Sequence, residues 1–241
     1  MTLRATALLA AAFLTFAVPA TSNAALSTYT QNFESLVQSS PTALSGDGWL
    51  VYGNVFSPDH STWYYGYGPF PAPNGTGAFC NVDLLPGTPP QGLQDMVVFS
   101  DYNNGDHANG NLVESIVYRE WPVAAADVGA TWVFQFDAKL GNLVAPTTAN
   151  AFIKTLNPSA GYAMTNYLTY DTTAIPSTWG TYSISITIDA SLVGQVLQIG
   201  FSNTATHYNG SGVFYDNINF SKSQATPTRT ESWGKVKASY R

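Results

Sequence analysis

Apolar and polar residues alternate with a period of two along most of this chain. From Thr181 to Asp189, Tyr182, Ile184, Ile186 and Ile188 interleave with Thr181, Ser183, Ser185, Thr187 and Asp189. From Thr131 to Lys139, Trp132, Phe134, Phe136 and Ala138 interleave with Val133, Gln135, Asp137 and Lys139. Successive side chains of a strand point to opposite faces, so this period predicts strands with one buried face. The same reading predicts strands over 28–36, 49–56, 77–83, 93–100, 112–121, 150–156, 164–170, 196–202 and 212–220. Turn-formers separate them, among them Asn103-Asn104-Gly105-Asp106, Asn109-Gly110, Gly141-Asn142, Asn157-Pro158 and Asn209-Gly210. No long helical period occurs, and Ala190–Val193 fits one helical turn. The expected fold is all-β: an antiparallel β-sandwich of jelly-roll type over residues 25–221.

Three segments depart from the pattern. Residues 57–76 are rich in Gly, Pro and aromatics and read as a long aromatic loop carrying Trp63, Tyr64, Tyr65, Tyr67 and Phe70. Loops of that length are commonly functional. Residues 222–241 read as a polar linker and a basic tail, in which Trp233, Val236 and Tyr240 recur at spacings of three and four. Residues 1–24 have the parts of a secretory signal peptide. Met1–Arg4 is the charged start, Ala5–Pro19 the apolar run, and Ser22-Asn23-Ala24 the small-residue cleavage site. The run is shorter than a spanning helix requires. The expectation is therefore a secreted or extracytoplasmic chain (periplasm, cell surface or extracellular) with no membrane span in its mature part.

Composition sharpens that picture. Residues 25–221 hold fourteen acidic and three basic residues (Arg119, Lys139 and Lys154), a net charge of −11. An acidic domain argues against nucleic acid or an anionic membrane as partner and suits cations and neutral ligands. The single cysteine, Cys80, lies in an apolar run and reads as a buried structural thiol.

Two carboxylates stand out by parity. Asp216 shares a strand face with Phe214, Ile218 and Phe220, and Glu34 one with Leu36. An inward carboxylate is costly unless paired or metal-bound. Calcium, a hard cation taking carboxylate and carbonyl oxygens, would compensate both if the first and last strands are neighbours. Such a calcium would be structural. The run Asp101–Asp106 has the Asp/Asn spacing of a second calcium loop, but Leu112 stands where the closing glutamate belongs, so it reads as a polar turn.

Phe33-Glu34 near the start, Tyr215-Asp216-Asn217-Ile218 near the end and Trp132–Lys139 between them resemble bacterial jelly-roll carbohydrate-binding modules of the cellulose- and xylan-binding type. The resemblance implies a galactose-binding-like sandwich. It also implies a structural calcium held by an acidic residue from each end with backbone carbonyls, and a polysaccharide or surface-glycan partner.

Catalytic motifs are scarce. There is no His-Glu-x-x-His and no Gly-x-Ser-x-Gly, and His60, His107 and His207 have no zinc spacing. Glu114 and Glu120 on one strand would stand about 20 Å apart at ~3.3 Å per residue, too far for a glycosidase pair. Arg119, Lys139 and Lys154 fall on three consecutive predicted strands. If those strands are neighbours, Arg119 with Gln135 and Asp137 makes a polar face for sugar hydroxyls.

The leading reading is a non-catalytic glycan-binding domain in which Trp63, Tyr64, Tyr65 and Tyr67 stack on sugar rings. One alternative is a surface-displayed assembly protein using 222–241 as a sorting or docking tag. A secreted glycan-active enzyme is the third.

Overall fold

The computed structural model describes residues 25–84 and 90–223. The expected signal peptide and nearly all of the basic tail lie outside the described residues. The strands are β1 (Tyr29–Gln31), β2 (Leu50–Phe56), β3 (Trp63–Pro71), β4 (Cys80–Asp83), β5 (Asp95–Val98), β6 (Leu112–Pro122), β7 (Thr131–Leu140), β8 (Thr148–Asn157), β9 (Ala163–Asp171), β10 (Gly180–Thr187), β11 (Val196–Ala205) and β12 (Val213–Lys222). They form two six-stranded antiparallel sheets. The first has the order β10-β7-β12-β5-β4, with β1 beside the end of β12. The second has the order β3-β2-β6-β11-β8-β9. This is the antiparallel jelly-roll sandwich that the alternation predicts.

The inward row of β7 (Trp132, Phe134, Phe136 and Ala138) is buried, with Gln135 exposed on the other side. Aromatics bridge the layers. Phe201 of β11 stacks on Tyr215 of β12 with centroids 3.6 Å apart, and Phe136 meets Phe201 edge-on at 5.3 Å. Aromatic pairs of this kind add to area burial. Cys80 is a free, fully buried thiol, and burial raises its pKa.

The first predicted strand, 28–36, is only Tyr29–Gln31, and two further segments differ from expectation. Within 57–76, Trp63–Pro71 is a strand rather than a loop, antiparallel to β2. β3 has one partner, which explains how it accommodates Pro69 and Pro71: an edge strand need not donate every ladder hydrogen bond. The other difference is in β12. The register against β7 shifts between Asp216 and Asn219, and Asn217 takes φ 47°. Such a bulge changes the parity. Tyr215 and Ile218 therefore both join the core, and Asp216 turns to the outer face of the first sheet rather than sharing the core face of Ile218 and Phe220.

Candidate functional site

The outer face of the second sheet carries a groove of about 660 Å³. Its floor follows from strand parity. On β6 the core-facing residues include Val113 and Val117, which leaves Glu114, Ile116, Tyr118 and Glu120 on the outer face. On β11, Leu197, Ile199 and Phe201 face the core, leaving Gln198, Gly200 and Ser202 outward. The register then builds transverse rows. One runs Glu120–Gln198–Lys154–Tyr167 across four adjacent strands, and the next Leu50–Tyr118–Gly200–Phe152–Thr169 across five. Ile116, Tyr118 and Phe152, with Leu50 and Tyr52, pack into an apolar cluster separate from the main core. Tyr52, Asn54, Pro69, Leu156, Gly161 and Tyr162 complete the lining.

The floor is only partly satisfied. Gln198 Nε2 donates to Glu120 Oε2 at 2.8 Å, but among the described residues Gln198 Oε1 is buried without a partner. Buried polar atoms normally have partners, so each unpaired one calls for an explanation. Burial lowers the pKa of Lys154, with Glu114 and Glu120 opposing the shift. Burial raises that of Tyr118, with Glu120 and Tyr52 adding to it.

The residues singled out from the sequence are dispersed. Trp63, 57% exposed, donates from Nε1 to Asn54 Oδ1 at 3.1 Å and so stands beside the groove. Tyr64 is exposed on the same edge strand. Tyr65 and Tyr67 instead donate to Asp106 and Asp101, at 2.5 and 2.9 Å, and lie over the 101–106 turn. That turn is closed by its own bonds, including Asn104 Oδ1 accepting from Asp106 N. The shared polar face of Arg119, Gln135 and Asp137 does not form, because β6, β7 and β8 alternate between the sheets. Arg119 pairs with Asp47 at 3.4 Å and stacks on Tyr29 at the end of the sandwich. Gln135 and Asp137 lie on the outer face of the first sheet. Lys154, on β8, is the basic residue among the three that reaches the groove.

A row of aspartates crosses the first sheet on its outer face. Asp216 is the register partner of Asp137, and Asp83 that of Asp95. Tyr215 pairs with Met96, so Asp216 and Asp95 are next along the same ladder. Strands lie about 4.8 Å apart, and like charges directly opposite one another destabilise a sheet. Asp137 is well satisfied, by Gln91 Nε2, Thr181 Oγ1 and Asn217 Nδ2 at 2.6–2.9 Å. Asp95 is not: among the described residues both its oxygens are buried and unpartnered, as is Asp216 Oδ2.

Burial pushes the Asp95 pKa up to about 8, with Asp83 and Asp216 adding to the shift and Lys139 opposing it. Burial likewise pushes Asp216 up to about 7, with Asp137 and Glu34 adding. Glu34 is exposed beyond β1 rather than inside a strand. The chain turns at Phe33 (φ 59°), and Glu34 Oε1 accepts from the Leu93 and Gln94 N–H groups at 2.8 Å each. Gly92 (φ +66°) permits this close approach, since a Cβ there would strike the Glu34 carboxylate. As expected, β1 lies beside β12; the Glu34 charge adds to the rise in the Asp216 pKa. The carboxylates are spread along the row: among the described residues no three His, Cys, Asp or Glu side chains are gathered as a metal cage.

No protein-family model matches the sequence, and a search of curated proteins finds no match. Solved structures show similarity of fold. A Stig cyclase from Fischerella sp. TAU, solved in complex with an indole compound, has TM-score 0.50 and 15% identity, over 83% of this chain and all of that one. The CBM22-1 xylan-binding domain of Paenibacillus barcinonensis Xyn10C has TM-score 0.46 and 8% identity, over 82% and 95%. The CBM22-1–GH10 fragment of a Clostridium thermocellum xylanase has TM-score 0.45 and 13% identity over 81% of this chain, which spans 28% of that fragment. At these identities the likeness is one of architecture.

Proposed function

We propose that this protein is an exported glycan-binding domain whose ligand lies in the groove on the second sheet and whose fold is braced by calcium on the first. The observation that carries the glycan reading is the groove's mixed lining. Tyr52, Tyr162 and the adjacent Trp63 offer aromatic surface, while Asn54, Glu120, Lys154 and Gln198 offer hydrogen-bonding groups. Sugars present apolar C–H faces and polar rims, and this combination matches both. The volume lies within the ordinary range of ligand sites. The unpartnered Gln198 Oε1 is the kind of acceptor that a sugar hydroxyl satisfies.

The acidic row supports the calcium. Three buried carboxylate oxygens without partners, on Asp95 and Asp216, fit a hard cation with oxygen ligands. Asp216, Asp95 and Glu34 would hold it, drawn together by the ion's charge. Its role would be structural, since it lies across the sandwich from the groove.

Retention on a panel of insoluble polysaccharides tests the function. Tyr162→Ala and Trp63→Ala, both at exposed positions, are each expected to weaken retention by about tenfold, one lost stacking contact of ~1.5 kcal/mol, with little change in melting temperature. Absence of retention on every polysaccharide, or variants that alter stability alone, would remove the reading.

A further inference from the structure

The polar row of the groove contains one unpaired cation. Lys154 lies between Gln198 of β11 and Tyr167 of β9, with its Nζ 5.1 Å from the centre of the Phe152 ring. Among the described residues it makes neither a salt bridge nor a hydrogen bond; the ion pair recorded is Arg119–Asp47, at the sandwich end. Its nearest acidic neighbour in the row, Glu120, is two strands away and is already engaged by Gln198 Nε2. Gln198 is 5% exposed, and its Oε1 is unpartnered. The row therefore offers a half-buried cation next to a buried acceptor.

We propose that the groove recognises a glycan bearing isolated carboxylates on an otherwise neutral backbone, with a uronic acid carboxylate on Lys154 and a nearby sugar hydroxyl donating to Gln198 Oε1. This rests on the glycan-binding reading above and adds the class of glycan. A carboxylate accepts and an ammonium donates, so the pair forms a charge-assisted hydrogen bond, stronger than a neutral one. Phe152 beneath Nζ and the partial burial of the stem reduce competition from water.

The same surroundings argue that the charges on the ligand are sparse. Glu120 belongs to the row, and Glu114 lies on the same strand face beyond it. The domain as a whole is strongly acidic, with fourteen acidic residues against three basic ones over 25–221. A polymer charged at every residue would meet that field along its length, whereas a single carboxylate at Lys154 meets one cation.

Carboxyl reduction converts a uronic acid to its neutral sugar without changing the backbone, which makes a clean comparison. Binding would be measured to glucuronoxylan, carboxyl-reduced glucuronoxylan and polygalacturonate, alongside a neutral-glycan panel. The wild-type protein is expected to bind native glucuronoxylan about tenfold more tightly than the reduced polymer, and more tightly than polygalacturonate. The preference should shrink with added salt. Lys154→Met keeps a stem over Phe152 and should equalise the native and reduced polymers, while Lys154→Arg should preserve the preference. Equal binding by the wild type, a preference that survives Lys154→Met, or tighter binding of polygalacturonate overturns the inference. If the protein binds neutral glycans but neither form of xylan, the inference fails and the glycan reading stands. Failure to bind any polysaccharide removes both.

Discussion

Asp95 is 1% exposed and, among the described residues, leaves both carboxylate oxygens without a hydrogen-bond donor, between Asp83 on one side and Asp216 on the other. The pKa values of Asp95 and Asp216 rise to about 8 and about 7, mainly through burial. Both are raised above the unfolded value, so the folded state binds more protons than the unfolded chain between roughly pH 4 and pH 8. Their contribution is fully present below pH 4 and is lost as pH rises through 7 and 8. Chelator-treated protein is therefore expected to melt at progressively lower temperature from pH 6 to pH 8, and millimolar calcium should restore the loss at pH 8. A flat or rising profile in chelator would contradict the buried, unpaired state of these carboxyls. Asp95→Asn removes one charge while keeping the shape. In chelator at pH 8 it should raise the melting temperature by about 3 °C, roughly 1 kcal/mol for a domain of this size, and it should diminish the response to calcium. Thermal denaturation of both proteins with and without calcium checks the pair of outcomes.

Single positions on β12 and β3 decide how those elements present their faces. At the β12 bulge Asn217 takes φ 47°, a region Asn tolerates better than β-branched residues, and its Nδ2 donates to Asp137 at 2.9 Å. Asn217→Val should cost about 2 kcal/mol in urea denaturation, from backbone strain and the lost bond together. A cost below ~0.5 kcal/mol would mean that the bulge does not depend on this residue. The bulge also explains one limit of reading the chain. Strict alternation places Asp216 beside Ile218 and Phe220, and only an inserted residue, invisible to a period of two, moves it to the other face.

β3 was hidden for a different reason. Gly66, Gly68 and Pro69 are poor strand formers, and the segment lacks alternation. Its pairing comes from the register on β2 rather than from its own propensity. Apart from the first strand, predicted over 28–36 but ending at Gln31, the alternation located the other strands to within a few residues, because each half-buried strand must show it. The groove was harder to foresee. Tyr52, Tyr118, Gln198 and Lys154 are far apart in sequence, and their rows exist only once β2, β6, β11 and β8 are neighbours. The legible signal was that Glu114 and Glu120 share a strand and that Lys154 falls on a later one. Its meaning depended on strand order, which consecutive numbering misassigns when β7 crosses to the other sheet.

At the scale of the molecule, the two polar features occupy opposite outer faces. The aspartate row lies on the first sheet and the groove on the second, with the core of Phe134, Phe136, Phe201 and Tyr215 packed between them. Coupling between two sites requires an element whose arrangement both of them bias. Here the intervening layer is a dense set of stacked aromatics, and the groove strands β6, β11 and β8 pair with one another rather than with the strands bearing Asp137, Asp216 and Asp95. A cation on the first sheet is thus expected to change how readily the whole sandwich unfolds without changing the shape of the groove. Ligand affinity should therefore agree within about twofold between calcium-loaded and chelated protein, a coupling of less than ~0.4 kcal/mol, at temperatures where both are folded. The melting temperature should differ between the same two samples. A change in affinity of tenfold or more would mean that the row of carboxylates holds the groove in shape through the core, and the two faces would then have to be treated as one site.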